Sequence, residues 1–177
     1  MSIITLTTDF GTKDHFVAKI KAAIISDIPE VSIVDITHQI SPFNIMETAY
    51  VIENSYKHFP EKTIHVIGVD SEKTPENSHL VVKLNGQYFI CADNGVLSIV
   101  CNNINPDEIF EINIHDKIES ENSAIKTFTK AACHLAKGGE PEVIGKRIKK
   151  IKSVKSINPF INDDKNQIIG SVIYIDN

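Results

Sequence analysis

No stretch of this 177-residue chain approaches the roughly 20 consecutive apolar residues of a membrane-spanning helix. The opening "MSIITLTTDF" has neither the basic start nor the long apolar run of a signal peptide, so a cytoplasmic location is expected. Cationic excess is missing too. The formal net charge is −5, which offers no field to draw in nucleic acid or an anionic membrane. Cysteines are few: Cys91, Cys101 and Cys133 are odd in number and too far apart for a metal-type cluster, and they are expected to be reduced and packed. Histidine pairs of the HxH or HExxH kind are absent, so no metal site is expected. Neither a Walker loop nor GxGxxG occurs. "DFGTKD" contains Asp-Phe-Gly, but without the glycine loop, strand lysine and HRD segment of a kinase.

What is there has the balance of a globular domain, 42% apolar and 23% charged. "IITLTT" (Ile3–Thr8) reads as a strand. A helix follows, capped by Asp14, with Phe16, Val17, Ile20, Ile24 and Ile28 at helical spacing up to Pro29. "VSIVDIT" (Val31–Thr37) is a second strand. Asn44 with Glu47 three residues on resembles a capping box, opening a helix that Pro60 ends. "TIHVIGV" is a third strand, "HLVVKLNGQYFICA" a hairpin turning at Asn85-Gly86, and "IFEINI" a further strand. "NGVL" marks a helix entry at Gly95. "SAIKTFTKAACHLAKGG" is a helix facing inward with Ile125, Phe128, Ala132 and Leu135, and stopping at Gly138. The alternation implies an α/β fold: a mostly parallel sheet flanked by helices, with antiparallel character added by the hairpin. The terminal "IIGSVIYIDN" reads as an apolar strand that either completes this sheet or, the expectation adopted here, begins a second domain.

Several strands end on an acid: "TLTTD" at Asp9, "HVIGVD" at Asp70, "YFICAD" at Asp93 and "VIYID" at Asp176. Asp35 lies within its strand and His38 just beyond it. Aspartate is most often a turn or cap residue. Yet parallel strands carry Asp9 and Asp70 to one edge, the edge where open α/β sheets hold ligands. Like charges gathered there repel unless a cation joins them, which suits a positively charged ligand. After Asp70 come eight polar residues, "SEKTPENS", where a hairpin would need only a few.

The phrases "LTTDFGTKDHFVAKIKAAI", "IVDITHQISPFNIMETAY", "FPEKTIHVIGVD" and "FICADNGVLSIV", in that order, resemble the S-adenosyl-L-methionine hydroxide adenosyltransferase family, the adenosine-forming SAM hydrolases related to the SAM-dependent fluorinase and chlorinase. "AACHLAKGG" and "IIGSVIYIDN" extend the resemblance to the end of the chain. It implies an N-terminal α/β domain, here residues 1–157, and a β-barrel-like C-terminal domain of which 158–177 are the linker and first strand. It also implies a homotrimer with active sites between subunits, and SAM as substrate with no further cofactor. By resemblance, Asp9 is expected to hold the ribose hydroxyls, Phe43 to line the pocket around the reacting carbon, and Asp176 to lie near the methionine ammonium. Asp70 matches the aspartate that orients the attacking water, where the fluorinase has a tyrosine. Alignment puts Asn77 where the family has an arginine and Ser123 where it has a histidine; the catalytic set would then be Asp70, Asn77 and Ser123. The implied reaction is hydrolysis of SAM to adenosine and L-methionine. Alternatives are a SAM- or adenosine-binding protein with a decayed catalytic set, or a transferase using another nucleophile.

Overall fold

The computed structural model describes residues 2–101, 104–114, 123–154, 159–164 and 166–175. Strands β1 (Ile3–Thr8), β2 (Ser32–Thr37), β3 (Ile64–Gly68), β4 (His79–Leu84), β5 (Gln87–Ala92), β6 (Glu108–Ile112) and β7 (Gly145–Arg147) form one sheet in the order β2-β1-β3-β5-β4-β6-β7. The first four strands in that order run parallel, and the pairs β4–β5, β4–β6 and β6–β7 are antiparallel. Helices α1 (Phe16–Asp27) and α4 (Ser123–Ala136) cover one face, and α2 (Ile45–Ser55) and α3 (Val96–Cys101) the other.

Strand periodicity explains the two layers. Ile4, Leu6, Ile64, Val66, Val81, Ile90 and Phe110 point toward α1 and α4. Their neighbours one residue out of phase, Ile67, Leu80, Val82, Phe89 and Cys91, point toward α2 and α3. Central strands buried on both faces are near-continuously apolar, as a parallel sheet under helices requires.

Local signals place the helix ends. Asn44 caps α2 by accepting from the Glu47 N–H at 3.1 Å, while the Glu47 carboxylate accepts from the Ser41 N–H and the Asn44 side-chain amide. α2 ends at Ser55 and tightens into a 3₁₀ turn, Tyr56–His58, before Pro60. At α1 the cap position falls on His15; Asp14 still contributes, since its Oδ1 accepts from the Phe16 N–H at 3.2 Å. The Asn85-Gly86 turn has positive φ at both residues, 51° and 72°, the geometry that suits a two-residue hairpin.

The C-terminal segment departs from a continuous strand. Among its described residues, Ile168–Ile169 (β9) alone is paired as a strand, with Phe160–Ile161 (β8), in a two-stranded sheet separate from the main one. Residues 170–175 carry no regular structure, and Val172 and Ile175 are exposed. Without partners on its edges an apolar strand has nowhere to place its backbone donors.

All three cysteines are free and buried, and burial raises each thiol above its ordinary range, Cys101 to about 11 and Cys133 to about 12. Among the described residues, no helix is long and apolar enough to cross a membrane.

Candidate active site

Chain topology selects one edge of the sheet. β1 connects through α1 to β2 on one side, and β2 returns through α2 to β3 on the other side of β1. Connections that diverge in this way open a crevice at the carboxyl ends of the two strands between them, here β1 and β3. The β1–β3 register pairs Thr8 with Gly68. Asp9 and Asp70, one and two residues further on, therefore flank that seam. Asp93 follows β5, parallel and adjacent to β3, and His38 follows β2, parallel and adjacent to β1. Four neighbouring strand ends thus bring His38, Asp9, Asp70 and Asp93 to one rim.

β1 and β3 approach closely at the seam. A Cβ on Gly68 would stand 3.1 Å from Thr8 Cγ2 and 3.4 Å from the Phe10 ring, so the Thr8 methyl would have to give by a few tenths of an ångström. On the α4 side the seam holds a cleft of about 10 Å³ lined by Thr8, Phe10, Gly68, Ser71, Phe128 and Thr129. That is room for about one water molecule. The rim itself is an open surface: Asp9, Asp70, Asn77 and Asp93 are all half-buried. A largely apolar cavity of about 390 Å³ between α1 and α4 is lined by Lys19, Ala23, Ile125 and Cys133, among others, and takes in none of the rim residues.

Each predicted residue has a definite setting. Asp9 Oδ2 accepts from the Phe43 N–H at 3.0 Å. Phe43 adopts a left-handed backbone, φ 63°, and is 72% exposed. A bulky residue in that region carries strain, which the Asp9 contact helps hold. Asp70 is also left-handed, φ 44°, a conformation aspartate tolerates better than most. Its carbonyl and that of Val69 accept from the Asn94 side-chain amide at 3.2 and 3.1 Å, while Asn94 Oδ1 caps the Val96 N–H of α3. Asn94 therefore ties the end of β3 to the entry of α3.

The loop after Asp70 is built rather than slack. Ser71 is buried, and its carbonyl lies 2.8 Å from His79 Nε2. Thr74 and Asn77 exchange backbone hydrogen bonds at 3.2 Å, closing a turn that places Asn77 near the end of β5. There the Ser78 carbonyl accepts from the Asp93 N–H at 2.7 Å. Burial pushes the Asp93 carboxyl above its ordinary range, offset in part by the Lys152 N–H and ammonium and reinforced by Glu111. Desolvation also acts upward on Asp35, but hydrogen bonds from Lys21 and His38 outweigh it and leave that carboxyl below its usual value. His38 is a buried structural residue: its Nδ1 pairs with Thr8 Oγ1 at 2.8 Å and its Nε2 faces Asp35 at 3.2 Å.

Ser123 opens α4, and its side chain lies outside the described set. Asp176 lies outside the described residues. The sequence reading missed Asn94 and Lys152. Asn94 had a signal, an asparagine before a helix entry. Lys152 sits in the run "KRIKKIK", whose Ile148 and Ile151 alternate inward and outline a docked segment.

An open, mostly parallel sheet with a crevice at the carboxyl ends of its strands places the chain among the α/β proteins that hold ligands at such an edge. Residues 4–145 match the model of the SAM hydroxide adenosyltransferase N-terminal domain, and the chain belongs to that family. It is 34% identical over 117 residues to an (R)-S-adenosyl-L-methionine hydrolase of Methanocaldococcus jannaschii, covering 63% of this chain and 44% of that protein. It is 23% identical over 184 residues to a fluorinase of Actinopolyspora mzabensis, covering 89% and 62%. A crystal structure of an uncharacterized conserved protein from Thermotoga maritima superposes with a TM-score of 0.81 at 32% identity, over 92% of this chain and 64% of that one. The chain thus spans less than two thirds of the length of these relatives.

Proposed function

We propose that the chain carries the N-terminal half of a SAM hydrolase that makes adenosine and L-methionine. The observation that supports this best is the convergence of Asp9 and Asp70 on the β1–β3 seam, in a chain of this family. Water attacks the ribose C5′ as the C5′–S bond breaks, and the bonding pair goes to sulfur. The sulfonium becomes a neutral thioether, so the leaving group needs no proton. The new C5′–O bond carries a proton that Asp70 accepts, directly or through solvent. Most of the rate then comes from holding water in line behind C5′ and excluding bulk solvent.

Asp9 is assigned to the ribose hydroxyls, Phe43 to the apolar wall at C5′, and Asp176 to the methionine ammonium. Asn77 orients the attacking water, with Ser123 completing the catalytic set. An open rim needs a cover. In this reading residues 158–177 lead into a second domain, and neighbouring subunits of a trimer close the site. The neutral Asn77 amide favours a second reading, a protein that binds SAM and leaves it intact. Incubation with SAM in ¹⁸O-water separates these. Adenosine labelled at O5′ with unlabelled methionine supports hydrolysis. Bound, intact SAM supports the binder, and a nucleoside carrying another group at C5′ supports a transferase like the fluorinase relatives.

A further inference from the structure

The rim gathers three carboxylates on adjacent strand ends, and such a cluster is unfavourable unless a cation stands among them. The described structure brings one to the Asp93 end of the cluster. After β7 the segment 148–154 runs back across the end of β5 and is docked along its length. The Ile148 N–H donates to the Ile109 carbonyl at 2.9 Å, and Ile148 and Ile151 pack against the α2–α3 core. The Lys152 N–H donates to Asp93 Oδ1 at 2.8 Å, and the Val154 N–H to Ser98 Oγ at 3.0 Å. Val154 fills the space beside Gly95, where a Cβ would overlap its methyl group. With its backbone pinned on both sides, Lys152 extends its ammonium to Asn77 Oδ1, at 3.0 Å.

We propose that Lys152 is a positioning residue of the rim: its ammonium holds the Asn77 end of the loop that follows Asp70 and sets a positive charge beside the Asp93 carboxylate. An exposed lysine–amide bond contributes little by itself. What distinguishes this one is that the strap anchors the Lys152 backbone on Asp93 itself, so the side chain starts from a set point on the rim. Positive charge thus reaches Asn77 from a distant part of the chain, although Asn77 itself is neutral. Its effect on turnover rests on the hydrolase reading; its effect on Asp93 does not.

Asp93 is the reporter, because its bond to the Lys152 backbone survives side-chain substitution. The groups around it are the Lys152 ammonium, Glu111 on β6, the neutral Cys91 thiol and the neutral Asn77 amide. His79, opposite Ala92 on β4, is turned to the Ser71 carbonyl. The experiment compares Lys152→Met, Lys152→Arg and Asn77→Ala in the full chain by carboxyl ¹³C NMR titration, with SAM turnover measured in parallel. Lys152→Met is expected to raise the Asp93 midpoint by about half a pH unit, and Lys152→Arg to return it to the wild-type value. Asn77→Ala, which frees the ammonium but keeps its charge, gives a smaller rise. In turnover, Lys152→Met lowers kcat about tenfold with KM within about twofold, and arginine recovers most of the loss. An unchanged Asp93 midpoint in a folded Lys152→Met protein overturns the proposal. If wild-type protein that includes the second domain releases no adenosine while the Asp93 shift is present, the hydrolase reading fails and the charge role of Lys152 stands.

Discussion

His65 sets an acid limit on the fold whose size follows from its surroundings. It lies fully buried in β3, stacked on Phe89 at 4.7 Å, with Tyr56 and Phe59 edge-on. The Gln87 amide nitrogen donates to the Tyr56 and Phe59 carbonyls, so Gln87 Oε1 is the atom facing His65 Nε2, at 2.7 Å. An amide oxygen only accepts, so Nε2 carries the proton and Nδ1 accepts from the Thr5 hydroxyl at 2.8 Å. Burial lowers the His65 pKa from 6.5 to about 4, with the Gln87 bond opposing, so the ring is neutral at pH 7. The unfolded chain takes up a proton near pH 6.5 and the folded chain only near 4, so stability falls as pH drops through that window. The full loss is about 3 kcal/mol, at 1.36 kcal/mol per pKa unit. Asp93, whose folded pKa is raised, offsets a part of this as pH falls through its raised midpoint, and does so fully below the ordinary carboxylate range. Urea midpoints from pH 7 to pH 4.5 measure the slope, with His65→Gln as the non-titrating control. The variant is less stable throughout, but its slope over that window should be shallower. A His65 ring that titrates near 6.5 in the folded protein, or equal slopes in the two proteins, would refute the reasoning.

Removing the α2 cap in Asn44→Ala should cost about 1 kcal/mol by urea midpoint, and Asn44→Asp much less, since aspartate caps as well. Gly95→Ala combines φ 99° with overlap on Val154 and should destabilise by about 2 kcal/mol, lowering Tm by roughly 5 °C; truncating Val154 as well relieves only the overlap. Asp70→Ala should lower SAM turnover far more than SAM affinity, and equal losses would make Asp70 a binding residue. Asp9→Asn keeps an acceptor for the Phe43 N–H and should preserve the backbone NMR shifts of residues 41–44, whereas Asp9→Ala should move them.

Much of this architecture is legible in local pattern. β1, the hairpin turn and the Asn44 cap are local events, decided by β-branched runs, an Asn-Gly pair and a side chain three residues from its acceptor. The gathering of Asp9 and Asp70 at one edge also follows from sequence, because parallel strands leave no other choice. Other features depend on tertiary contacts that no local pattern reveals. The grip of Asp9 on Phe43 joins residues 34 apart, and that of Lys152 on Asn77 joins residues 75 apart. "IIGSVIYIDN" has every local mark of a strand, yet among its described residues only Ile168 and Ile169 find a strand partner, since strand propensity acts only where an edge is offered.

The central claim is that a sulfonium-bearing nucleoside sits over the β1–β3 seam. A crystal structure of the full chain with SAM or adenosine bound tests it most directly. The ribose is predicted to lie between Asp9 and Asp70, with C5′ facing the Asp70 carboxylate and Phe43 alongside. A nucleoside lodged instead in the α1–α4 groove, with the ends of β1 and β3 bare, would contradict it.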